Sequence, residues 1–100
     1  MTTTTAKFRL GHIVTTPGAL AVLEEAGQDP LHFLNLHASG AWGDLSQEDR
    51  RANEQAIAHE ADPRQRERVL SSYRTGAGKT VWIITEHDRS ATTLLLPEEY

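Results

Sequence analysis

At 100 residues the chain has the length of one domain with a single core, and it is too short for a cleft built between two lobes. A hydrophobic share of 38% and a charged share of 24% are those of a globular chain rather than a disordered one, and the absence of cysteine excludes disulfides and thiolate metal sites. The net charge of -4 argues against non-specific attachment to a phosphate backbone, so direct nucleic-acid binding is not expected. No apolar run approaches membrane-spanning length, and the N-terminus lacks the charged-then-apolar pattern of an export signal, so the expected compartment is the cytoplasm, away from membranes.

Residues 1–6, with four threonines in a row, are expected to form a disordered tail, and 7–100 a single domain. Phe8, Leu10, His12 and Val14 alternate with Arg9, Gly11, Ile13 and Thr15, a period of two that predicts a strand with a bulge at Gly11. Thr16-Pro17 supplies an N-cap and a first-turn proline for a helix that buries Leu20, Leu23 and Val22 and ends at Gly27. Asp29-Pro30 repeats the start signal, and Leu31, Phe33, Leu34 and His37 or Ala38 form the stripe of a second helix ending near Ser39 and Gly40. A third helix is predicted from Gln47 to about Glu60, with Ser46 as N-cap and Ala52, Ala56 and Ile57 on its buried face.

Ala61-Asp62-Pro63 ends that helix, since proline disfavours helical geometry in the residue before it, and an arginine-rich link runs to Arg68. The period then returns to two. Val69 to Tyr73 and Thr80 to Glu86 flank a turn at Thr75-Gly76-Ala77-Gly78, and a last strand from Thr92 to Leu96 follows the His87-Asp88-Arg89-Ser90 turn and is halted by Pro97. The order β-α-α-α-β-β-β predicts an α+β fold: a small antiparallel sheet with short helices on one face. Trp82 and Ile84 lie opposite Val81 and Ile83, so their strand is expected to be central and covered on both sides, or to have one face against a second subunit, which leaves a homodimer open.

The stretch from His37 to Asn53 carries the candidate site. Gly40 and Gly43 bracket Trp42 in a sharply bent loop followed by Asp44 and the helix start. Trp42 either plugs the core, its N–H on a backbone carbonyl, with Asp44 bracing the turn, or anchors a recognition surface; the flanking glycines favour the inward indole. The expected contact residues are His37, Trp42, Asp44, Arg51, Asp88 and Arg89. Grouped across Trp42, the residues His37, Asp44 and Asp88 would instead make the acid–base set of a small hydrolase.

Other motifs carry less. Gly76-Ala77-Gly78-Lys79-Thr80 ends like a phosphate-binding loop, but the first glycine would fall at Tyr73 and a strand follows where a helix is required. His32 and His37 are five apart and miss the spacing at which two imidazoles on a helix grip one zinc, so neither metal nor cofactor is expected. Arg50, Arg51, Arg64, Arg66 and Arg68 are half of the ten basic residues and form either a solvated face or a surface for an acidic partner.

Three segments, FRLGHIVTTPGAL at 8–20, HASGAWGDLSQEDRRANEQA at 37–56 and WIITEHDRSATTLLLPEEY at 82–100, together resemble a family of small bacterial proteins described as plasmid-related, some of which carry a type I restriction–modification label. The sequence differs from that pattern at Ala41, where the family has an acid before Trp42, and in its longer link at 61–68. The resemblance implies carriage on a mobile element. A restriction methyltransferase is excluded by size, since a cofactor-binding fold and its glycine-rich loop have no room here. The expected function is a non-enzymatic interaction module acting on a host or plasmid protein complex, with anti-defence activity as one form; the alternative is the small acid–base hydrolase.

Overall fold

The computed structural model describes residues 6–100, so all but Ala6 of the tail expected at 1–6 lies outside the described residues. From Lys7 onward the chain is tied down, the Lys7 N–H donating to the Ala38 carbonyl at 2.8 Å. The elements are β1 (His12–Thr15), α1 (Pro17–Ala26), α2 (Pro30–Ser39), α3 (Gln47–Ala58), β2 (Val69–Arg74), β3 (Thr80–Thr85) and β4 (Ala91–Leu95), followed by a 3-10 turn at Pro97–Glu99. The architecture is α+β in the expected order.

The helix ends follow their capping residues. Thr16 Oγ1 accepts from the Ala19 N–H, an Asp29 carboxylate oxygen from Leu31, and Ser46 Oγ from Asp49, while Gly27 and Gly40 close α1 and α2 in the left-handed conformation. Ala19 and Leu23 of α1 and Phe33 and Leu34 of α2 are packed against Tyr73, Val81, Ile83 and Leu94 of the sheet. The expected Leu20 and Leu31 are exposed. Leu20 lies about 100° round α1 from Ala19 and Leu31 about 160° round α2 from Phe33, and two short helices on one narrow sheet bury only a thin stripe.

The sheet runs β1-β4-β3-β2, with β2, β3 and β4 antiparallel. β1, however, pairs with β4 in parallel, His12 opposite Ala91, so the sheet is mixed where an all-antiparallel one was expected. No tight hairpin joins these two strands. The whole of the helical and hairpin chain lies between them, and nothing forces a reversal of direction. β1 is also shorter than its alternation suggests. Gly11 takes φ +66 against the 89–90 turn, where a Cβ would lie 2.3 Å from the Ser90 carbonyl oxygen, and this bend sends Phe8 into the interior instead of along the strand.

β3 is central and buried on both faces, as its two-sided apolar pattern predicts. Val81 and Ile83 meet α1 and α2, whereas Trp82, Ile84 and Leu95 share the other face, where the Tyr100 ring meets Trp82 edge-on at 5.9 Å and Arg68 lies over Tyr100 at 5.4 Å. Among the described residues no helix is long and apolar enough to cross a membrane.

Candidate functional site

The Gly40 to Ser46 loop acts as a fragment of strand laid beside β2. The Ser72 N–H donates to the Trp42 carbonyl at 3.0 Å and the Asp44 N–H to the Ser72 carbonyl at 2.7 Å, so Gly43 forms a parallel bridge with Ser72. Only glycine fits there, because at φ +77 a Cβ would lie 2.1 Å from the Ser72 oxygen. Arg50 fastens the loop from α3, donating to the carbonyls of Leu45 and Gly43. Two residues further along the same edge Asn53 takes over. Its amide nitrogen donates to the Leu70 carbonyl at 2.6 Å and its oxygen accepts from the Leu70 N–H at 3.1 Å, the pairing a neighbouring strand would make. The β2 edge is thus closed by the loop and by one side chain of α3.

Asn53 and Ala56, not Ala52, are the buried residues of α3. The i, i+3, i+4 spacing of Asn53, Ala56 and Ile57 carried that signal, and it is easily lost because the first member is polar.

Trp42 is 2% exposed, stacked near Phe8 at 6.2 Å between ring centres and edge-on to His37 at 5.9 Å. Its indole N–H donates to the Glu54 carboxylate at 2.9 Å rather than to the expected backbone carbonyl. His37 is wholly buried. Its Nδ1 lies 2.5 Å from Ser71 Oγ and its Nε2 2.9 Å from Thr85 Oγ1; Thr85 Oγ1 lies 2.7 Å from Thr92 Oγ1, which donates to the Leu10 carbonyl at 2.7 Å. Counting protons along this chain fixes the ring. The Thr92 hydroxyl is committed to Leu10, so Thr85 donates to Thr92, His37 donates from Nε2–H to Thr85, and Nδ1 accepts from Ser71. Desolvation, followed by the nearby charge of Arg89, lowers the imidazole from 6.5 to about 3. A ring that is neutral, sealed and bonded at both nitrogens has no position left for a substrate proton.

Arg89 is 4% exposed and takes φ +60 in the β3–β4 turn. It reaches the Glu60 carboxylate from Nε and from Nη2, the latter at 2.7 Å, while Nη1 donates to the carbonyls of Glu67 and Glu86 and the guanidinium covers the Phe8 ring at 5.6 Å. It thereby ties the 61–68 link to the sheet.

Three of the six expected contact residues, His37, Trp42 and Arg89, are therefore interior and cannot line a contact surface. The other three are exposed and apart. Asp44 sits outside β2 beside Ser72; its carboxylate has no hydrogen-bond partner among the described residues, so the bracing attributed to it comes from its backbone N–H and from Ser46. Arg51 is exposed on α3. Asp88 accepts from the Ser90 N–H at 3.0 Å, and its carboxyl is held below the usual range by the Ser90 hydroxyl and N–H. Ser72 pairs with Trp82, whereas Asp88 lies three residues past Thr85, so the two acids are separated by the strand width of β2 and by ~10 Å of β3 from 82 to 85 alone, at ~3.3 Å per residue. His37, Asp44 and Asp88 do not converge, and the expected acid–base set is not formed. Among the described residues no three His, Asp or Glu side chains cluster closely enough to hold a metal ion.

The concave surface lies elsewhere. A cleft of about 730 Å³ opens between α3 and the 61–68 link, with Asp49, Gln55 and His59 on the helix side and Arg64, Gln65 and Arg68 among the residues opposite. Asn53, Ala56 and Leu70 also line it. Its wall is held out from α3 by the Asp62 turn, where one carboxylate oxygen accepts from the Arg64 N–H at 3.1 Å and the other from Gln65 Nε2 at 3.0 Å, and by Arg66 donating to the Glu60 carbonyl at 2.8 Å. A shallower hollow of about 470 Å³ lies on the opposite side of the loop, bordered by His32, Asp44 and Arg74. No protein family, curated protein or solved structure matches this chain.

Proposed function

We propose that the protein is a non-catalytic interaction module that takes a polar, acid-bearing segment of a partner protein into the cleft between α3 and the 61–68 link. The cleft itself carries this reading. Its walls set amides, carboxylates and guanidiniums beside the small apolar surfaces of Ala52, Ala56 and Leu70, a mixed lining that suits an extended peptide better than a small apolar ligand. Arg64 is exposed with its guanidinium bonded to no carboxylate among the described residues, unlike Arg66 and Arg89, which are engaged with Glu60, and so it is available for a fork-like pair with a partner's carboxylate. The neutral, sealed His37 speaks against the hydrolase alternative. The resemblance to plasmid-related proteins supports a host or plasmid protein complex as the partner, with interference with a defence system as one form of the activity.

The test is site-specific photo-crosslinking in a bacterial host that carries the gene. A benzophenone amino acid at Gln55 should yield one protein adduct that disappears when Arg64→Glu and Arg68→Glu are added, while the same probe at Glu25 on α1 should yield none. Equal labelling from both positions, or an adduct indifferent to the charge reversals, would defeat the proposal.

A further inference from the structure

The two edges of the sheet are treated differently. β2 is closed by the Gly43 bridge and by Asn53, while β1 at the opposite edge pairs, among the described residues, only with β4. A parallel ladder uses alternate residues. The His12 N–H goes to Ser90 and the Thr16 N–H to Leu94, so the backbone groups of Ile13 and Thr15 point away from the sheet. Ile13 and Val14 are 46% and 47% exposed. Natural edges are commonly blunted by a lysine, a proline or an inward charge. The strand HIVT has none of these.

We propose that β1 pairs with β1 of a second copy, antiparallel about a two-fold axis at Val14, joining two four-stranded sheets into one of eight strands. The outward groups fall symmetrically about that axis. Ile13 stands opposite the partner subunit's Thr15, and Thr15 opposite the partner subunit's Ile13, each pair exchanging two backbone hydrogen bonds. Val14 faces the partner subunit's Val14 across the closer, non-hydrogen-bonded position. Cross-strand pairing aligns Leu70, Ile84, Thr93 and Val14 in one row on the face away from α1 and α2, and the two-fold continues that row into the second sheet. A second copy is the occupant that fits because it brings by symmetry a strand of equal length, with the same outward spacing and no like charge to repel it. This contact lies on the opposite edge of the sheet from β2, on which α3 and its cleft are built, and does not depend on the function proposed for that cleft.

Sedimentation equilibrium of the full chain tests the pairing. The wild type should approach twice its 11.1 kDa mass as concentration rises. Ile13→Pro removes only an outward N–H, and Val14→Glu sets two carboxylates against each other at the axis. Both should keep wild-type circular dichroism and halve the observed mass. Amide hydrogen exchange gives a reading without mutation: in the concentrated wild type the Ile13 and Thr15 amides should be protected, and dilution should release them. A wild type that stays at monomer mass to its solubility limit with both amides exchanging freely overturns the proposal, even if some foreign strand binds β1. So does a dimer that survives both substitutions.

Discussion

Replacing Asn53 with alanine should open the edge of β2. The side chain supplies both a donor and an acceptor to the backbone of Leu70, at 2.6 and 3.1 Å, from a position that is itself buried. Truncation leaves one N–H and one C=O of the strand unpaired, at about 1–3 kcal/mol for each group that water cannot reach. Leu70 is half-buried and lines the open cleft, so water recovers part of that loss, and the expected total is ~2–4 kcal/mol. Against a whole-domain stability of about 5–15 kcal/mol this is a large share, equivalent to a fall in Tm of roughly 10–25 °C. Asn53→Asp keeps an acceptor for the Leu70 N–H but sets a carboxylate against the Leu70 carbonyl, so it too should be well below wild type. Urea denaturation followed by circular dichroism measures both. If Asn53→Ala stays within about 0.5 kcal/mol of wild type, the usual range of an indifferent surface substitution, the side chain is not closing the edge.

Arg89→Met should cost about 2–3 kcal/mol, below the 3–5 usual for a broken buried pair because Glu60 remains partly solvated, and the 61–68 link should then gain protease sensitivity, which limited proteolysis reads directly. Unchanged cleavage kinetics would mean that the guanidinium does not tether the link. Trp42→Ala should cost roughly 3–5 kcal/mol as a core truncation, whereas Asp44→Ala, whose carboxylate has no partner among the described residues, should stay within about 0.5 kcal/mol. Equal losses in paired denaturant melts would show that the loop is held by its acid rather than by its indole.

Much of the scaffold was legible in the sequence because its signals are local. Thr16-Pro17, Asp29-Pro30, Ser46, Gly27 and Gly40 mark helix ends through single hydrogen bonds or single dihedral angles, and the Val69 to Leu96 alternation marks three strands by period. What escaped depends on partners distant in sequence. The parallel pairing of β1 is decided by residues 91–94, and the burial of Phe8 by a bend at Gly11 that answers to Ser90. The candidate site misled for the same reason. His37, Trp42 and Arg89 are residue types that act at surfaces when water reaches them, and here each is enclosed by groups from remote segments: Ser71 and Thr85 for the imidazole, Phe8 for the indole, Glu60 and Glu67 for the guanidinium. The small hydroxyl residues on the inner face of β2, β3 and β4 were the available sign that a polar side chain from a helix would be received there.

The His37 to Trp42 region is buried architecture, and the ionisation of His37 is the sharpest probe of that role. The unfolded chain binds a proton near 6.5 and the fold not until about 3. The neutral ring therefore contributes its full stability above 6.5, and that contribution falls as pH is lowered toward 3, by about 1.4 kcal/mol per pH unit within that window. Imidazole nitrogen NMR across about pH 8 to 5 should show His37 as a single neutral Nε2–H tautomer throughout. A His37 that titrates near 6.5, or that holds its proton on Nδ1, would contradict the account and return the region to candidacy as an acid–base site.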